Sequence, residues 1–311
     1  MNAVFLDAKT LGSDVDMSPI EAVIGKLTSY PGTAPDQVVE RIQGFDTVLV
    51  NKVKLGREHF EACPELKTIA VVATGVNNID LQAAKDHGIQ VMNVTNYGRS
   101  TVAQHTLALI LALATGLREY DRDARNGRWG KSDMFCLMDY PIMELEGKTL
   151  GIVGYGDLGQ GVAERAKAFG MNIVLGCRPG QEPGEVDGYP RIPLAELLPQ
   201  ADVLSIHCLL TDETRHMIGA DELAQMKPTA LLINTSRGGL VDEQALADAL
   251  RNGVIGGAGF DVLTEEPPRN GNPLLADDIP NLILTPHSAW ASREARQRIV
   301  EITARNLASV N

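Results

Sequence analysis

The chain has 311 residues, 44% of them hydrophobic and 22% charged, a balance that excludes a disordered or collagen-like chain and predicts a globular protein. A chain of this length is too long for one ordinary hydrophobic core, so two domains are expected. The formal net charge of −12, with no long run of one sign, argues against nucleic acid and anionic membranes as partners. A small anionic substrate is compatible with this charge, because a local arginine can reverse the field.

The N-terminal sequence and the cysteines predict a cytoplasmic location. No Cys-x-x-Cys pair and no Cys/His cluster with zinc spacing occurs, so four reduced thiols and no metal site are expected. Residues 1–10 lack the basic and apolar stretches of a signal peptide. The longest apolar run, residues 107–114, is far shorter than the roughly 20 residues that cross a bilayer. The four cysteines are Cys63, Cys136, Cys177 and Cys208.

Strand-like and helix-like segments alternate through the first hundred residues. An apolar run at 3–7 predicts the first strand, and Ser18-Pro19 predicts an N-cap followed by proline, opening a helix to Leu27. Residues 100–125 predict the longest helix, apolar almost all round in its first half and charged in its second. Between them, strands are predicted at 47–50, 68–73 and 90–94, and helices at 57–63 and 80–87.

A second alternating series begins at Lys148. Strands that alternate with helices form parallel sheets with right-handed crossovers, so the sequence predicts an α/β fold. The predicted strands are 150–153, 171–175, 202–207, 230–234, 255–260 and 281–284, with helices at 160–169, 242–252 and 291–309.

A glycine pattern opens this second series. The string GYGDLG fits G-x-G-x-x-G between a predicted strand and a predicted helix, the order that a dinucleotide-binding turn requires. Gly154 permits the tight turn, Gly156 lets the backbone approach a pyrophosphate, and Gly159 lets the helix pack on the strand. The diphosphate would lie on the helix N-terminus near Asp157 and Leu158.

The end of the second strand in this series departs from the usual NAD pattern. NAD enzymes place an acid there, which accepts hydrogen bonds from the ribose 2′-hydroxyl. Here the residues are Gly176-Cys177-Arg178-Pro179, and the first acid afterwards is Glu182. Arg178 is suited to pair with a 2′-phosphate, so NADP is predicted to serve at least as well as NAD. The alternative is that Arg178 points into solvent.

Two of the six histidines lie at the ends of predicted strands, and the other four do not. Reduction of a ketone by hydride transfer needs a proton donor, and a histidine beside a carboxylate suits that role. His207 and His287 end predicted strands, and His287, in NLILTPH, is the candidate acid and base. His105 lies on the apolar face of the long predicted helix and is expected in the core. The other three are expected at the surface: His59, His87 and His216.

Other strand ends carry a cation and carboxylates. Arg237 follows the strand LLIN, and Asp261, Glu265 and Glu266 follow the strand GGAGF. Ligands of open parallel sheets bind at the carboxyl ends of the strands, where these groups and His287 are expected. A cation, a carboxylate and a histidine suit hydride chemistry on a 2-oxo acid.

Four separated strings, GYGDLG, NTSRGGLVDE, GFDVLTEEP and TPHSAWAS, together resemble the D-isomer-specific 2-hydroxyacid dehydrogenases, and the resemblance covers essentially the whole chain. It implies that Arg237 binds the substrate carboxylate and carbonyl. It also implies that His287 is the catalytic acid and base, and that Glu266, rather than Glu265, pairs with it.

The resemblance implies a discontinuous architecture: two Rossmann-like, doubly wound parallel-sheet domains with an active-site cleft between them. Residues 1–99 and 286–311 would form the substrate-binding domain, where the amides of Gly75 and Val76 hold the substrate carboxylate. Residues 100–285 would form the dinucleotide-binding domain. Further cofactor contacts are implied at Thr74, Cys208, Thr235, Ser236, Asp261 and Ala289.

Members of this family are usually homodimers joined through their cofactor domains. Here that resemblance implies an interface made by the long helix from Ser100 and the loop 131–141, with the loop also lining the partner's substrate pocket.

Three further strings narrow the resemblance. NYGRSTVAQHTLALILAL, FCLMDYPIMELEGKTLGIVG and TPHSAWASREARQR, with Trp290 three residues after the histidine, look most like the bacterial glycerate dehydrogenases, also called hydroxypyruvate reductases. Glyoxylate reductase, D-lactate dehydrogenase and phosphoglycerate dehydrogenase are the alternatives within the enzyme class. An NAD(H)-sensing corepressor is the alternative of another class, disfavoured because Arg237, Glu266 and His287 occur together in an acidic chain.

Overall fold

A computed structural model describes residues 1–310, which contain thirteen strands and eleven α-helices. The strands are β1 (Asn2–Phe5), β2 (Lys26–Ser29), β3 (Thr47–Val50), β4 (Thr68–Val71), β5 (Gln90–Asn93), β6 (Thr149–Val153), β7 (Asn172–Gly176), β8 (Gly184–Val186), β9 (Tyr189–Ile192), β10 (Val203–Ile206), β11 (Leu231–Asn234), β12 (Gly257–Phe260) and β13 (Leu282–Leu284). The helices are α1 (Ser18–Ile24), α2 (Val38–Ile42), α3 (Arg57–Ala62), α4 (Leu81–Asp86), α5 (Arg99–Ala114), α6 (Leu117–Arg125), α7 (Asp157–Lys167), α8 (Leu194–Leu197), α9 (Ala220–Gln225), α10 (Glu243–Arg251) and α11 (Arg293–Ala308).

The chain divides into two compact units, and the first consists of residues 1–98 and the segment from Ala291 onward. Its five strands have the order β2-β1-β3-β4-β5, with every neighbouring pair parallel. Strands β3 and β4 are buried along their whole length, as the apolar runs of a parallel sheet are. Phe60 of α3 and Ala83 of α4 belong to the same apolar core as these strands.

The second unit, residues 99–290, is built on an eight-stranded sheet of order β13-β12-β11-β10-β6-β7-β9-β8. All neighbours are parallel except β8 and β9. Strand β6 comes first in the chain and lies between β7 and β10, so the order of strands reverses there. Such a reversal opens a crevice at the carboxyl ends of the strands, where ligands of doubly wound sheets bind.

Strands β8 and β9 lie outside the predicted elements. They form a hairpin turned by Asp187 (φ 53°) and Gly188 (φ 79°). Asp-Gly favours this left-handed pair of conformations, which matches the twist of the two strands. The hairpin extends the sheet beyond β7 without a crossover helix.

Two predicted helices are wrong in extent. The helix predicted from Ser18 to Leu27 ends at Ile24, because Gly25 adopts φ 80° and the chain turns into β2. The single helix predicted over 100–125 is interrupted at Gly116, whose φ is 58°, and α5 and α6 meet at an angle of 60°. Within residues 1–310, no helix by itself is long and apolar enough to cross a membrane; only α5 and α6 taken together satisfy that test.

The chain returns to the first unit at Ala291 rather than at the predicted residue 286. The amide of His287 donates to the Asp261 carbonyl oxygen, and the amides of Ser288 and Ala289 donate to the Asp261 carboxylate. These bonds keep the turn after β13 with the sheet of the second unit.

Candidate active site

Close backbone approaches build the glycine turn after β6. Gly154 has φ 98°, and a Cβ there would lie 2.5 Å from the Cys208 amide nitrogen. A Cβ on Gly159 would lie 2.2 Å from the carbonyl oxygen of Gly154. Both positions therefore require glycine. A Cβ on Gly156 would meet nothing within 4 Å, so open space lies beside this residue.

The turn leads into α7, whose N-terminus offers free donors. Gly156 is the N-cap, and no side chain among the described residues caps the first turn. The first amides of a helix have no acceptor within the helix, and with the positive end of the helix dipole they bind phosphate. Open space beside these amides is what a pyrophosphate requires, so the turn fits a nicotinamide dinucleotide. Asp157 and Leu158 are the first two residues of the helix.

Three more of the predicted cofactor residues follow neighbouring strands. Cys208 comes two residues after β10, and Thr235 and Ser236 follow β11; all three are buried. Thr235 Oγ1 lies 3.1 Å from Thr106 Oγ1 of α5, and Ser236 Oγ donates to the Ile206 carbonyl oxygen at 2.9 Å. These bonds anchor the loops at the carboxyl edge of the sheet.

Arg178 lies two residues after the end of β7 and is exposed. Burial raises the pKa of the Cys208 thiol, and the positive charge of Arg178 acts against this rise. The guanidinium is therefore within electrostatic reach of the end of β10, beside the reversal of the strand order. No acid takes the place of Arg178 at the end of β7.

His287 and Glu266 form a close pair on two neighbouring loops. His287 Nδ1 lies 2.6 Å from Glu266 Oε2, and Glu266 Oε1 accepts a hydrogen bond from the Leu263 amide at 2.9 Å. Burial pushes the pKa of Glu266 upward, but the bonds from His287 and Leu263 and the charge of Arg237 outweigh it, so this pKa lies below its usual value. Glu266 is therefore a carboxylate that can hold an imidazolium.

The backbone of His287 lies in the left-handed region, with φ 51°. This conformation is uncommon outside glycine and persists where the surroundings hold it. Glu265, the other acid of the loop, contacts Asn270 Nδ2 at 3.0 Å. The structure thus brings Glu266, and not Glu265, to His287.

Arg237 lies on the loop after β11, which touches the loop of Glu266. A Cβ on Gly238 would lie 2.1 Å from the Leu263 carbonyl carbon and 2.2 Å from the Thr264 amide nitrogen. Glycine at this position lets the two loops meet, which brings the charge of Arg237 within reach of Glu266. Sequence reasoning missed Gly238, although its place directly after the arginine is a signal for a close backbone approach.

The turn that carries Arg237 is held by a buried asparagine that sequence reasoning also missed. Asn234 accepts a bond from the Ser236 amide at 3.0 Å and donates to the Arg237 carbonyl oxygen at 2.8 Å. Arg237 Nη1 donates to the Ser236 carbonyl oxygen at 2.7 Å. The remaining guanidinium donors of Arg237 have no acceptor within residues 99–290.

Asp261 is 1% exposed and binds the turn that follows β13. Its carboxylate accepts bonds from the Ser288 amide at 2.9 Å, the Ala289 amide at 2.8 Å and the Thr285 hydroxyl at 2.5 Å. The sequence predicted Asp261 and Ala289 as cofactor contacts. In the structure they contact each other, beside His287.

The predicted residues of the first unit lie after β4. Thr74 Oγ1 donates to the Val94 carbonyl oxygen at 2.9 Å, which ties this loop to the end of β5. The Gly75 and Val76 amides have no acceptor among the described residues of the first unit. Two adjacent free amides can bind a carboxylate.

His207 directly follows β10 but is unsuited to protonation near neutral pH. Burial lowers its pKa to about 4, so the ring is neutral. Its Nε2 lies 2.8 Å from Ser205 Oγ, and its Nδ1 is buried without a partner among the described residues. Of the two histidines at strand ends, only His287 has a carboxylate beside it.

Comparison with known proteins identifies the family of this chain. Residues 107–289 match the family model described as "D-isomer specific 2-hydroxyacid dehydrogenase, NAD binding domain". The glycerate dehydrogenase of Methylorubrum extorquens is 45% identical over 96% of this chain and 92% of its own length. The hydroxypyruvate reductase of Blautia hydrogenotrophica is 37% identical over 99% of this chain and 96% of its own.

A solved structure shows the same fold. The TT0316 protein from Thermus thermophilus matches with a TM-score of 0.87 at 35% identity, covering 100% of this chain and 96% of that one. The family model matches more than half of the residues, so the comparisons show the protein family as well as the fold. The chain therefore belongs to the D-isomer-specific 2-hydroxyacid dehydrogenases, oxidoreductases that use a nicotinamide cofactor.

Proposed function

We propose that the chain reduces hydroxypyruvate to D-glycerate. The observation that carries this proposal is the His287–Glu266 pair, 2.6 Å apart, in which Nδ1 is bound and Nε2 has no partner within residues 99–290. A histidine held in this way can give a proton to a carbonyl oxygen. The names of the two relatives, a glycerate dehydrogenase and a hydroxypyruvate reductase, support this choice among the 2-oxo acids.

When bound, the nicotinamide supplies a hydride to the carbonyl carbon of the acid. Arg237 offers its free donors to the carboxylate and to the carbonyl oxygen. His287 gives a proton from Nε2 to the carbonyl oxygen, so hydride and proton together convert C=O to CH–OH. Glu266 stabilises the imidazolium before this transfer. The ring then regains its proton from water.

We propose that NADPH serves this enzyme at least as well as NADH. The residues directly after β7 include no acid of the kind that binds the ribose 2′-hydroxyl in NAD enzymes, and the exposed Arg178 offers a guanidinium for a 2′-phosphate. The pyrophosphate would lie on the amides of residues 154–159. The side chains and backbone of the loops after β10, β11 and β12 would contact the rest of the dinucleotide.

We also propose that the enzyme is a homodimer joined through the second unit. The segment after α6 exposes large apolar side chains, with Phe135 89% and Met138 74% exposed. An apolar patch of this kind marks an interaction surface. Light scattering is expected to give twice the chain mass of 33.5 kDa. A Phe135→Ser, Met138→Ser variant is expected to give one chain mass, and a wild-type monomer would contradict the proposal.

Initial rates with purified enzyme test the reaction. We would measure hydroxypyruvate, glyoxylate, pyruvate and phosphohydroxypyruvate, each with NADH and NADPH, and identify the product enantiomer by chiral chromatography. The highest kcat/KM with hydroxypyruvate and a D-glycerate product are expected. A higher kcat/KM with glyoxylate would assign the glyoxylate reductase reaction instead. No turnover of any acid, together with tight NADH binding, would favour a cofactor-sensing protein.

A further inference from the structure

Helix α5 holds both ends of the turn that carries His287. Thr101 Oγ1 donates to the Ala289 carbonyl oxygen at 3.0 Å, and His105 Nε2 lies 2.9 Å from Thr285 Oγ1. Thr101 and His105 are four residues apart, so they lie on one face of the helix. The sequence predicted a core role for His105, yet its polar ring atom contacts the active-site turn.

A chain of hydrogen bonds leads from His105 to the carboxylate beneath the turn. The Thr285 hydroxyl has one hydrogen and donates it to Asp261 Oδ1 at 2.5 Å, so it accepts from His105. His105 Nε2 therefore carries a proton, and it also lies 3.6 Å from Asp261 Oδ1. Asp261 is almost fully buried, and a buried carboxylate needs all of its donors.

The turn needs such support because its backbone is strained. His287 has φ 51°, and its amide donates to the Asp261 carbonyl oxygen at 2.8 Å. A non-glycine residue keeps a left-handed backbone only where its neighbours determine it. The ring of His287 is aimed by this backbone, so a shift of Asp261 would move the proton donor.

We propose that His105 is a positioning residue for the reaction, which fixes His287 through Thr285 and Asp261. The inference rests on the proposed acid–base role of His287. It assigns to α5 a part in the chemistry of a site from which the helix itself contributes no reacting group.

The test compares two substitutions of His105. His105→Leu removes the donor but keeps an apolar volume, and His105→Gln keeps a donor near the position of Nε2. For hydroxypyruvate reduction, Leu is expected to lower kcat about tenfold to hundredfold, as misplacement of a catalytic group by about 1 Å does, with KM changed less than about threefold. Gln is expected to retain kcat within about threefold. His87→Leu, the same change at an exposed position of the first unit, is the control and should match wild type.

A double-mutant cycle separates positioning from general damage. If His105 acts through His287, adding His105→Leu to Glu266→Gln should lower kcat much less than it does in wild type, because the pair is already impaired. Additive losses, or a Gln variant as slow as the Leu variant, would overturn the inference. So would a His105→Leu variant with wild-type kcat.

Two further variants keep the test decisive. If His105→Leu does not fold, Thr285→Val, which removes the linking hydroxyl, should lower kcat while Thr285→Ser retains it; equal rates would overturn the inference. His287→Asn reports on the proposed function itself. Full activity of His287→Asn would reject the acid–base role, whereas an inactive His287→Asn beside a fully active His105→Leu would reject only the positioning role.

Discussion

The two ends of the strands in the eight-stranded sheet use polar groups differently; the amino edge is the side where the parallel strands begin, and the carboxyl edge is the side where they end. At the amino edge, Asp202 before β10 has both carboxylate oxygens occupied, by Lys227 Nζ at 2.9 Å and the Thr149 amide at 2.8 Å. At the carboxyl edge, His287 and Arg237 are held through some atoms and keep others without a partner within the unit. The comparison teaches that a candidate functional side chain is one that the fold fixes without using all of its donors.

The largest effect on kcat is expected from replacing His287, the proposed proton donor. His287→Asn deletes the imidazole, while asparagine tolerates the left-handed backbone at this position. We expect kcat for hydroxypyruvate reduction to fall about a thousandfold, the scale of a lost general acid. Calorimetry should show NADPH binding within about twofold of wild type, because the dinucleotide turn is untouched. A rate near wild type would show that another group gives the proton.

A smaller loss of activity is expected from forcing the Arg237 loop away from the Glu266 loop at the carboxyl edge. Gly238→Ala would place a Cβ 2.1 Å from a backbone atom of Leu263, so the Arg237 loop must move away from Glu266. We expect kcat/KM to fall about a hundredfold. Gly184→Ala, at a glycine of β8 with nothing within 4 Å of its added Cβ, is the matched control. Equal activity of the two variants would show that the contact is unimportant.

The exposed side chain of Arg178, also at the carboxyl edge, should affect the preference for NADPH over NADH. Arg178→Ala is expected to lower kcat/KM for NADPH about tenfold and to leave that for NADH within about twofold, because only a 2′-phosphate needs the guanidinium. Arg305→Ala, at an exposed position of α11, controls for the lost charge. If the ratio of NADPH to NADH activity does not change, Arg178 does not contact the cofactor.

A substitution at the amino edge should change the free energy of unfolding and leave kcat unchanged. Burial pushes the pKa of Asp202 upward, but Lys227 and the Thr149 amide outweigh it, so this pKa lies below its usual value. Its stabilisation is therefore present above the usual pKa and is lost as pH falls through the lowered one. Asp202→Asn should lower the free energy of unfolding by about 1–2 kcal/mol at neutral pH, and less in acid, with kcat unchanged. A loss that persists undiminished in acid would contradict this.

The sequence predicted the parallel sheets and the family well, because buried strands appear as apolar runs and the glycine turn lies between a strand and a helix. The family assignment is confirmed by the comparisons. The interruption at Gly116 was missed because the residues around it still favour a helix. The hairpin of β8 and β9 was missed although Asp187-Gly188 is a turn signal.

The residues that support the candidate site were harder to predict than the residues proposed to react. Arg237, Glu266 and His287 follow strands, and that position can be read from the sequence. The contact of His105 with Thr285 joins residues 180 positions apart, and helical periodicity alone placed this histidine in the core. Which atom of a side chain is bound depends on tertiary packing, which a pattern of residue types does not contain.

The kcat/KM of Glu266→Gln for hydroxypyruvate reduction tests the central claim most directly. The claim is that His287 gives the proton and that the Glu266 carboxylate, 2.6 Å from His287 Nδ1, holds the imidazolium. A neutral glutamine removes the charge, so kcat/KM should fall about a hundredfold, while NADPH binding measured by calorimetry stays within about twofold of wild type. A kcat/KM equal to that of wild type would contradict the account, because Glu266 would then not support the proton donor.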